Sequence, residues 1–171
     1  HLEQTLFQSL LDARSIHGSG HIIAEDVERK PINYRQLIMR CYILGAVLRK
    51  HAQRSMAVGV LLPNMVSTLI CFFALQAYGR IPAMLNYSSS AKNLIAACTA
   101  AAIETVITSR RFIQAGKLTH LVEALESRQV RIIYLEDIAQ QISIPAKIKG
   151  ALASLVPQFF YRLINTATDA R

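Results

Sequence analysis

Residues 58–90 read VGVLLPNMVSTLICFFALQAYGRIPAMLNYSSS, and this stretch decides the fold. A strand-sized apolar run, 58–62, precedes a longer run, 65–78, which is long enough for about four helical turns. A second strand-sized run, 81–85, follows. This order predicts a strand, a crossover helix and a second, parallel strand with a right-handed connection. Both strands are apolar at nearly every position, so we expect cover on both faces. The helix is apolar nearly all round and is expected to be buried.

Three elements are predicted before this unit. The first is a helix over residues 4–14, capped by Thr5 and ended by the glycine-containing segment 18–20. The second is a small antiparallel hairpin over residues 21–33, at an edge where proline is tolerated. The third is a helix over residues 34–51 that Asn33 caps. Its predicted buried stripe consists of Leu37, Cys41, Leu44 and Leu48.

Further helices and short strands are predicted after it. Serines 88–90 are expected to cap a helix over 91–102, with an alanine-rich face at positions 96, 97 and 100–102 packed closely on the sheet. Strands are predicted at 105–108 and 130–135. Short helices are predicted from Ser109 to residue 115 and over 118–127, followed by a helical turn at 136–141. The last segment, 144–164, has an apolar helical stripe that Pro157 should kink or split near Leu155.

The alternation of strands and helices predicts an α/β fold. We expect one domain over residues 1–171, built as a three-layer, doubly wound, mostly parallel sheet of about four strands. A small N-terminal β-hairpin and a long C-terminal helix complete the predicted architecture.

Charge and cysteine content narrow the classes of protein. A net charge of +8 is compatible with nucleic acid, an acidic protein partner or anionic lipid. The basic residues form no long tract, so a nucleic-acid binder is disfavoured. Three cysteines without a CxxC pair favour reduced core thiols in a cytosolic setting. No apolar run reaches the roughly 20 residues that a membrane span needs.

His21 and Asp26 have the HxxxxD spacing of glycerolipid acyltransferases, in which the histidine is a general base and the aspartate orients it. Positions five apart on one strand face opposite sides, so the two side chains are not expected to meet. A surface hairpin is the favoured interpretation. The segment 18–20, Gly-Ser-Gly, resembles the start of a phosphate-binding loop. It follows a helix and opens a strand, the reverse of a dinucleotide fingerprint, so a hinge is favoured.

The remaining candidates are scattered. The histidines at positions 17, 21, 51 and 120 have no metal-ligand spacing. Serines 88–90 could supply a nucleophile, but a GxSxG elbow is lacking and a helix cap is favoured. Segment 144–164, with aromatic residues opposite lysine and arginine, could contact a membrane surface or pack across the sheet or on a neighbouring part. The residues alone therefore predict no catalytic, cofactor-binding or metal residue.

Four motifs in order resemble a known family. PINYRQL at 31–37 resembles the "L-T-Y-x-x-L" segment of adenylate-forming (AMP-binding) enzymes, and VGVLLPN at 58–64 resembles their "V-x-x-x-L-P-N" strand. ALQAYGRIPAMLNY at 74–87 resembles "A-x-x-x-G-x-x-P-x-x-x-N", and TVITS at 105–109 fits the following strand. Across residues 20–137 the chain resembles the N-terminal subdomain of that superfamily.

Three details resemble one branch of it. These are RIPAMLNY at 80–87, KNL at 92–94 and RRF at 110–112. They resemble the acyl-[acyl-carrier-protein] synthetase half of bifunctional enzymes that re-acylate 2-acylglycerophosphoethanolamine. The resemblance implies a parent ligase that uses ATP and Mg to activate a fatty acid as acyl-AMP. The acyl group then passes to the thiol of acyl carrier protein and on to lysophospholipid.

The resemblance also implies partners and a location. The partners are the remainder of the AMP-binding domain, acyl carrier protein, fatty acid and lysophospholipid, without nucleic acid. The parent is expected at the cytoplasmic side of the inner membrane, with this piece itself soluble. For residues 144–164, the residues themselves favour packing across the sheet or on a neighbouring part over contact with a membrane surface.

The family's Ser/Thr/Gly-rich loop ending in lysine and glycine does not occur in these 171 residues. No catalytic residue is therefore carried over, and the chain is expected to be a non-catalytic N-terminal fragment that needs no cofactor of its own. The alternative is a stand-alone basic interaction module that binds carrier protein or an anionic membrane surface. A small nucleotide-binding doubly wound domain is disfavoured, because no glycine fingerprint follows residues 58–62.

Overall fold

The computed structural model describes residues 4–27 and 29–169, the last three by their backbone alone. The helices and strands of these residues follow in chain order: α1 (Leu6–His17), β1 (Ile22–Ala24), β2 (Ile32–Asn33), α2 (Tyr34–Leu48), β3 (Ala57–Val60), α3 (Val66–Ala77), β4 (Ile81–Met84), α4 (Ala91–Ala100), β5 (Thr105–Thr108), α5 (Arg110–Ala115), α6 (Thr119–Glu126), β6 (Arg131–Tyr134), α7 (Leu135–Gln141), α8 (Ile144–Ala153) and α9 (Pro157–Asp169).

The described strands form a four-stranded parallel sheet in the order β4-β3-β5-β6, and an antiparallel hairpin of β1 and β2. Within the sheet, Val58 lies opposite Pro82 and Val60 opposite Met84. On the other side of β3, Gly59 lies opposite Val106. The predicted strand–helix–strand unit and the doubly wound α/β class are confirmed.

Two apolar layers cover the two faces of the sheet, because side chains alternate along each strand. Val58 and Val60 of β3 pack with α1, α2 and α3 on one face. Leu61 and Val106 pack with α4, α5 and α6 on the other. The three layers follow from this alternation.

Side-chain caps start four of the described helices where the sequence predicts them. Thr5 accepts a hydrogen bond from the N–H of Gln8, and Asn33 forms a capping box with Gln36. Ser90 accepts from Asn93 N–H at the start of α4. Each cap satisfies a backbone donor that the first helical turn leaves unpaired.

The outer strand β4 departs from prediction. Ile81 and Met84 are 55% and 52% exposed, so the expectation that β4 is covered on both faces is wrong. Among the described strands, β4 pairs with β3 alone and so lies at the edge of the sheet, where the helices cover it incompletely.

The alanine-rich face of α4 is also not where we expect it. Alanines 96, 97 and 100–102 are exposed, whereas Leu94 and Cys98 are buried against the sheet and α6. Burying Leu94 and Cys98, one turn apart, removes more apolar surface from water than burying the smaller alanines. The side-chain volume of these two residues therefore decides how α4 is rotated.

Helices α2 and α3 approach each other closely at Gly45. A Cβ atom at Gly45 would meet the ring of Tyr78 and lie 2.6 Å from the carbonyl oxygen of Ala74. The Tyr78 hydroxyl donates to the carbonyl oxygen of Tyr42 at 3.0 Å. Burial raises the pKa of Tyr78 to about 12, so this hydroxyl keeps its proton and remains a donor at neutral pH.

The last segment forms two helices, as the position of Pro157 predicts. Helix α8 packs on α2, where Gly150 faces Ile43. Helix α9 begins at Pro157, whose carbonyl oxygen accepts a hydrogen bond from Tyr42 Oη at 2.6 Å. The opposite side of both helices is solvent-exposed, and we call it the α8–α9 apolar face. Its side chains are each 51 to 74% exposed: Ile144, Ile148, Leu152, Leu155, Val156, Phe159 and Leu163.

The contact at Gly45 generates a stability prediction. Gly45→Ala should lower the free energy of unfolding by about 1–3 kcal/mol, because the methyl group has no space between Tyr78 and the backbone of α3. Gly20→Ala is the control, since nothing lies within 4 Å of a Cβ there. It should change stability by less than about 0.5 kcal/mol. Urea unfolding of both variants measures the difference, and equal stability would contradict the packing described.

Candidate functional site

The candidate site lies at the carboxyl edge of the sheet. The chain leaves β3 toward β4 on one side, whereas β5 and β6 lie on the other side of β3. Doubly wound sheets bind ligands where the strand order reverses in this way, outside the carboxyl ends of the strands. A cavity of about 410 Å³ lies here, between the segments that follow β3 and β5. This volume is within the range of small-molecule pockets.

The lining of this cavity, the switch-point cavity, is mainly apolar. Its apolar residues are Val27, Leu62, Pro63, Met65, Phe112 and Ala115. Three polar residues also line it: Ser67, Ser109 and Arg111. The ring of Tyr87, from the segment after β4, packs edge-on against Phe112 at 5.2 Å between centroids. The arrangement suits an apolar ligand that meets a few polar groups.

A second depression lies on the other side of Met65. It measures about 340 Å³ and is lined by hairpin residues Ala24, Glu25 and Asp26 together with the start of α3. Met65 therefore lines both the apolar cavity and a depression that is bordered by the carboxylates of Glu25 and Asp26.

Glu136 organises the polar side of the edge. Ser109 Oγ donates to its Oε1 at 2.8 Å, and the backbone N–H groups of Arg110 and Arg111 donate to the same carboxylate at 3.2 and 3.3 Å. Desolvation alone would raise the pKa of Glu136. The hydrogen bonds from its own N–H, Ser109 and the two arginine N–H groups outweigh that effect and lower the pKa below its usual value.

Arg110 is fixed beside this carboxylate. Its two terminal nitrogens donate to both oxygens of Asp137, at 2.6 and 2.7 Å. Its guanidinium lies 4.1 Å from the centroid of the Tyr134 ring. The hydrogen bond to Asp137 raises the pKa of Arg110, and the hydrogen bond from Arg110 lowers the pKa of Asp137. This bidentate pair and Glu136 together tie α5 to the end of β6.

The described residues do not fit the phosphates of ATP. The N–H groups of Arg110 and Arg111 at the start of α5 already donate to Glu136, so they are not free to bind a phosphate. The start of α5 therefore offers no site for the phosphates of ATP. Among residues 4–27 and 29–169, no group of three or more His, Cys, Asp or Glu could hold a metal ion.

The structure places His21 and Asp26 in different surroundings. His21 lies beside the rings of His17 and Tyr34, with centroids 5.6 and 6.2 Å away. Asp26 instead lines the depression beside Met65. The side chains of His21 and Asp26 therefore have different neighbours. The HxxxxD pattern belongs to a hairpin, as favoured from the sequence.

The other sequence candidates have structural roles. Gly18 ends α1 with a φ of 89°, which favours glycine, and the carbonyl oxygen of Ser19 accepts from Arg35 N–H. Ser90 caps α4, so its hydroxyl has a structural partner. The three cysteines are buried and free. Burial raises the pKa of Cys71 to about 12, which makes that thiol unreactive.

Sequence reasoning missed Glu136 and Arg110. The signal that could find them is positional, because Ser109 and Glu136 each follow a parallel strand. The carboxyl ends of neighbouring parallel strands meet at one edge of the sheet. A serine and a glutamate at those two positions are therefore expected within hydrogen-bonding distance.

The structure is thus a doubly wound α/β fold with a cavity at its switch point. The family comparison gives the assignment: the model of the AMP-binding enzyme family matches residues 13–167. The chain belongs to this family. The resemblance of the motifs at 31–37, 58–64, 74–87 and 105–109 is confirmed at the level of the family.

Solved structures share the fold. The N-terminal subdomain of NpsA from Klebsiella oxytoca matches with a TM-score of 0.66 and 16% identity, over 82% of this chain and 33% of that one. A benzoate CoA ligase from Burkholderia xenovorans gives the same score and identity, over 82% and 29%. The N-terminal domain of FACL13 from Mycobacterium tuberculosis gives 0.67 and 14%, over 81% and 36%. The chain spans about a third of the length of these structures.

The lowered pKa of Glu136 predicts how stability depends on pH. The contribution is complete above the unfolded pKa of about 4.3 and is lost as the pH falls through the lower folded pKa. Glu136→Gln should cost about 1 kcal/mol at pH 7, a value that solvent screening keeps small. The difference from the unmodified chain should shrink as the pH falls through and below 4.

Urea unfolding at pH 7 and pH 3 tests this dependence. Glu126→Gln, at an exposed glutamate of α6, is the matched control and should show no such convergence. A constant difference between the Glu136→Gln variant and the unmodified chain at both pH values would contradict a role for the ionised carboxylate.

Proposed function

We propose that this chain is the N-terminal part of an ATP-dependent fatty acyl-[acyl-carrier-protein] ligase linked to 2-acylglycerophosphoethanolamine acyltransferase. In this role the chain is non-catalytic. It forms one wall of the site in which the parent holds an acyl-adenylate. The remainder of the AMP-binding domain supplies the ATP-binding groups, and lysophospholipid receives the acyl group.

The observation that carries this proposal is the apolar switch-point cavity in a domain of the AMP-binding family. Leu62, Met65 and Phe112 offer an acyl chain an apolar wall. The exposed Arg111 lies at the same cavity, where a guanidinium would attract the carboxylate of a fatty acid. A fatty acid combines these two properties, one apolar and one anionic.

A carrier protein is the proposed acceptor of the activated acyl group. One structure with the same fold, the artificially fused NpsA-ThdA of Klebsiella oxytoca, joins an adenylation domain to a PCP domain. That match has 15% identity and a TM-score of 0.64, over 82% of this chain and 24% of that one. We propose that the parent of this chain likewise works with a carrier protein.

A second candidate function is a stand-alone basic interaction module for an anionic membrane surface. The α8–α9 apolar face favours it, because apolar side chains are exposed there beside lysines and an arginine. The two candidates differ in their need for nucleotide, since a module of this kind binds without ATP.

Pyrophosphate exchange distinguishes ligase from module. The longer protein that contains this chain should exchange pyrophosphate into ATP only when a fatty acid is present, and should then acylate carrier protein. The 171-residue chain alone should neither catalyse exchange nor bind ATP at micromolar concentration by calorimetry. Exchange that does not depend on fatty acid, or tight ATP binding by the chain alone, would contradict the proposal.

Filling the switch-point cavity should change the preferred acyl length. Ala115→Trp in the longer protein puts an indole into the cavity, so kcat/KM for long fatty acids should fall by roughly tenfold, about 1.4 kcal/mol. Short fatty acids should be affected less. Ala100→Trp, on the exposed side of α4, is the control and should leave both values unchanged. An equal loss of kcat/KM for short and long fatty acids would show that the cavity does not hold the acyl chain.

A further inference from the structure

We propose that the α8–α9 apolar face binds the surface of an anionic lipid bilayer, with both helices lying in the plane of the interface. The surface is defined by the exposed side chains given above, at positions 144, 148, 152, 155, 156, 159 and 163. Ile144, Ile148 and Leu152 recur every four residues on α8, and Phe159 and Leu163 are four residues apart on α9. Leu155 and Val156 lie in the turn that joins the two helices. This inference does not depend on the proposed ligase activity.

The stripe is exposed because the other side of the two helices is firmly packed. Gly150 lies against Ile43 of α2. Phe160 packs edge-on against Tyr42 at 4.9 Å between centroids, and Tyr161 packs against Phe7 at 5.2 Å. These contacts set the rotation of α8 and α9. Turning the stripe inward would expose the packed side chains, so the apolar face points to solvent.

The charges beside the stripe favour an anionic surface. Lys147, Lys149 and Arg162 flank the apolar residues, and residues 143–168 contain no aspartate or glutamate. Asp12 approaches from the packed side, where it accepts hydrogen bonds from Gln8 at 2.9 Å and Gln158 at 3.5 Å. An apolar stripe with cations at its border is the pattern of helices that lie at the membrane interface.

Surface contact, and not insertion across the bilayer, suits these helices. Among residues 4–27 and 29–169, no helix is long and apolar enough to cross a membrane. The division at Pro157 yields two short helices that share one apolar side. Both can lie at the depth of the headgroups while the sheet remains in water.

A unique fluorophore tests the position of the face, because the chain contains no tryptophan. Phe159→Trp places an indole on the stripe. Ile16→Trp places one on α1, at a residue that is 78% exposed. With phosphatidylcholine vesicles that contain phosphatidylglycerol, emission of the first variant should shift to shorter wavelength and be quenched by brominated lipid. The second variant should show neither change.

Flotation with the same vesicles separates the two contributions to binding. Leu152→Ser with Phe159→Ser should weaken binding by at least about tenfold. The matched control, Ile16→Ser with Ile22→Ser, replaces two exposed apolar residues elsewhere and should bind like the unmodified chain. Changing Lys147, Lys149 and Arg162 to Gln should weaken binding roughly a hundredfold, since each cation contributes about fivefold. The same change at Lys92, Lys117 and Arg128 should have less effect.

Several outcomes would overturn the proposal. One is a chain that stays with the soluble fraction, and another is equal binding to vesicles with and without phosphatidylglycerol. Concentration-dependent dimerisation in sedimentation velocity, lost in the Leu152→Ser and Phe159→Ser variant, would assign the face to a second copy. In the longer protein, the indole at position 159 could already be shielded from water without vesicles. That result would show that another part of the same protein covers the α8–α9 apolar face. Pyrophosphate exchange plays no part in these assays, so their failure leaves the ligase proposal separately testable.

Discussion

The central position of β3 is the constraint on which the rest of the structure depends. β3 makes parallel ladders with β4 on one side and β5 on the other. A parallel neighbour requires a crossover connection, so helices must cover both faces. The winding also reverses at β3, which brings the segments after β3 and β5 together at one edge. The layers and the position of the cavity both follow from this one strand.

Much of the fold is predictable from local signals in the sequence. The apolar runs around residues 58–85 identify β3, α3 and β4, because their lengths suit a strand, a helix and a strand. Asn33 and Ser90 mark helix starts by supplying an oxygen to free N–H groups. Pro157 marks the division of the last segment because it lacks an N–H and crowds the preceding turn. Each of these signals acts within a few residues of the chain.

The errors concern properties that depend on distant parts. The exposure of Ile81 and Met84 follows from the edge position of β4, which no run of neighbouring residues specifies. The rotation of α4 is a competition between Leu94 with Cys98 and the alanines, and the contacts that Leu94 and Cys98 make with the sheet and α6 decide it. Glu136 meets Ser109 only because β5 and β6 are adjacent, so the polar side of the site emerges from strand order.

The three buried thiols have a consequence for measuring local opening. Cys41 and Cys71 lie in the layer of α2 and α3, and Cys98 lies in the layer of α4. Burial raises the pKa of all three, so each thiolate forms more readily when the surrounding layer opens. The alkylation rate of each cysteine would therefore report the rate of local opening of the layer in which it lies. The two sides of the sheet could be timed independently, without any added label site.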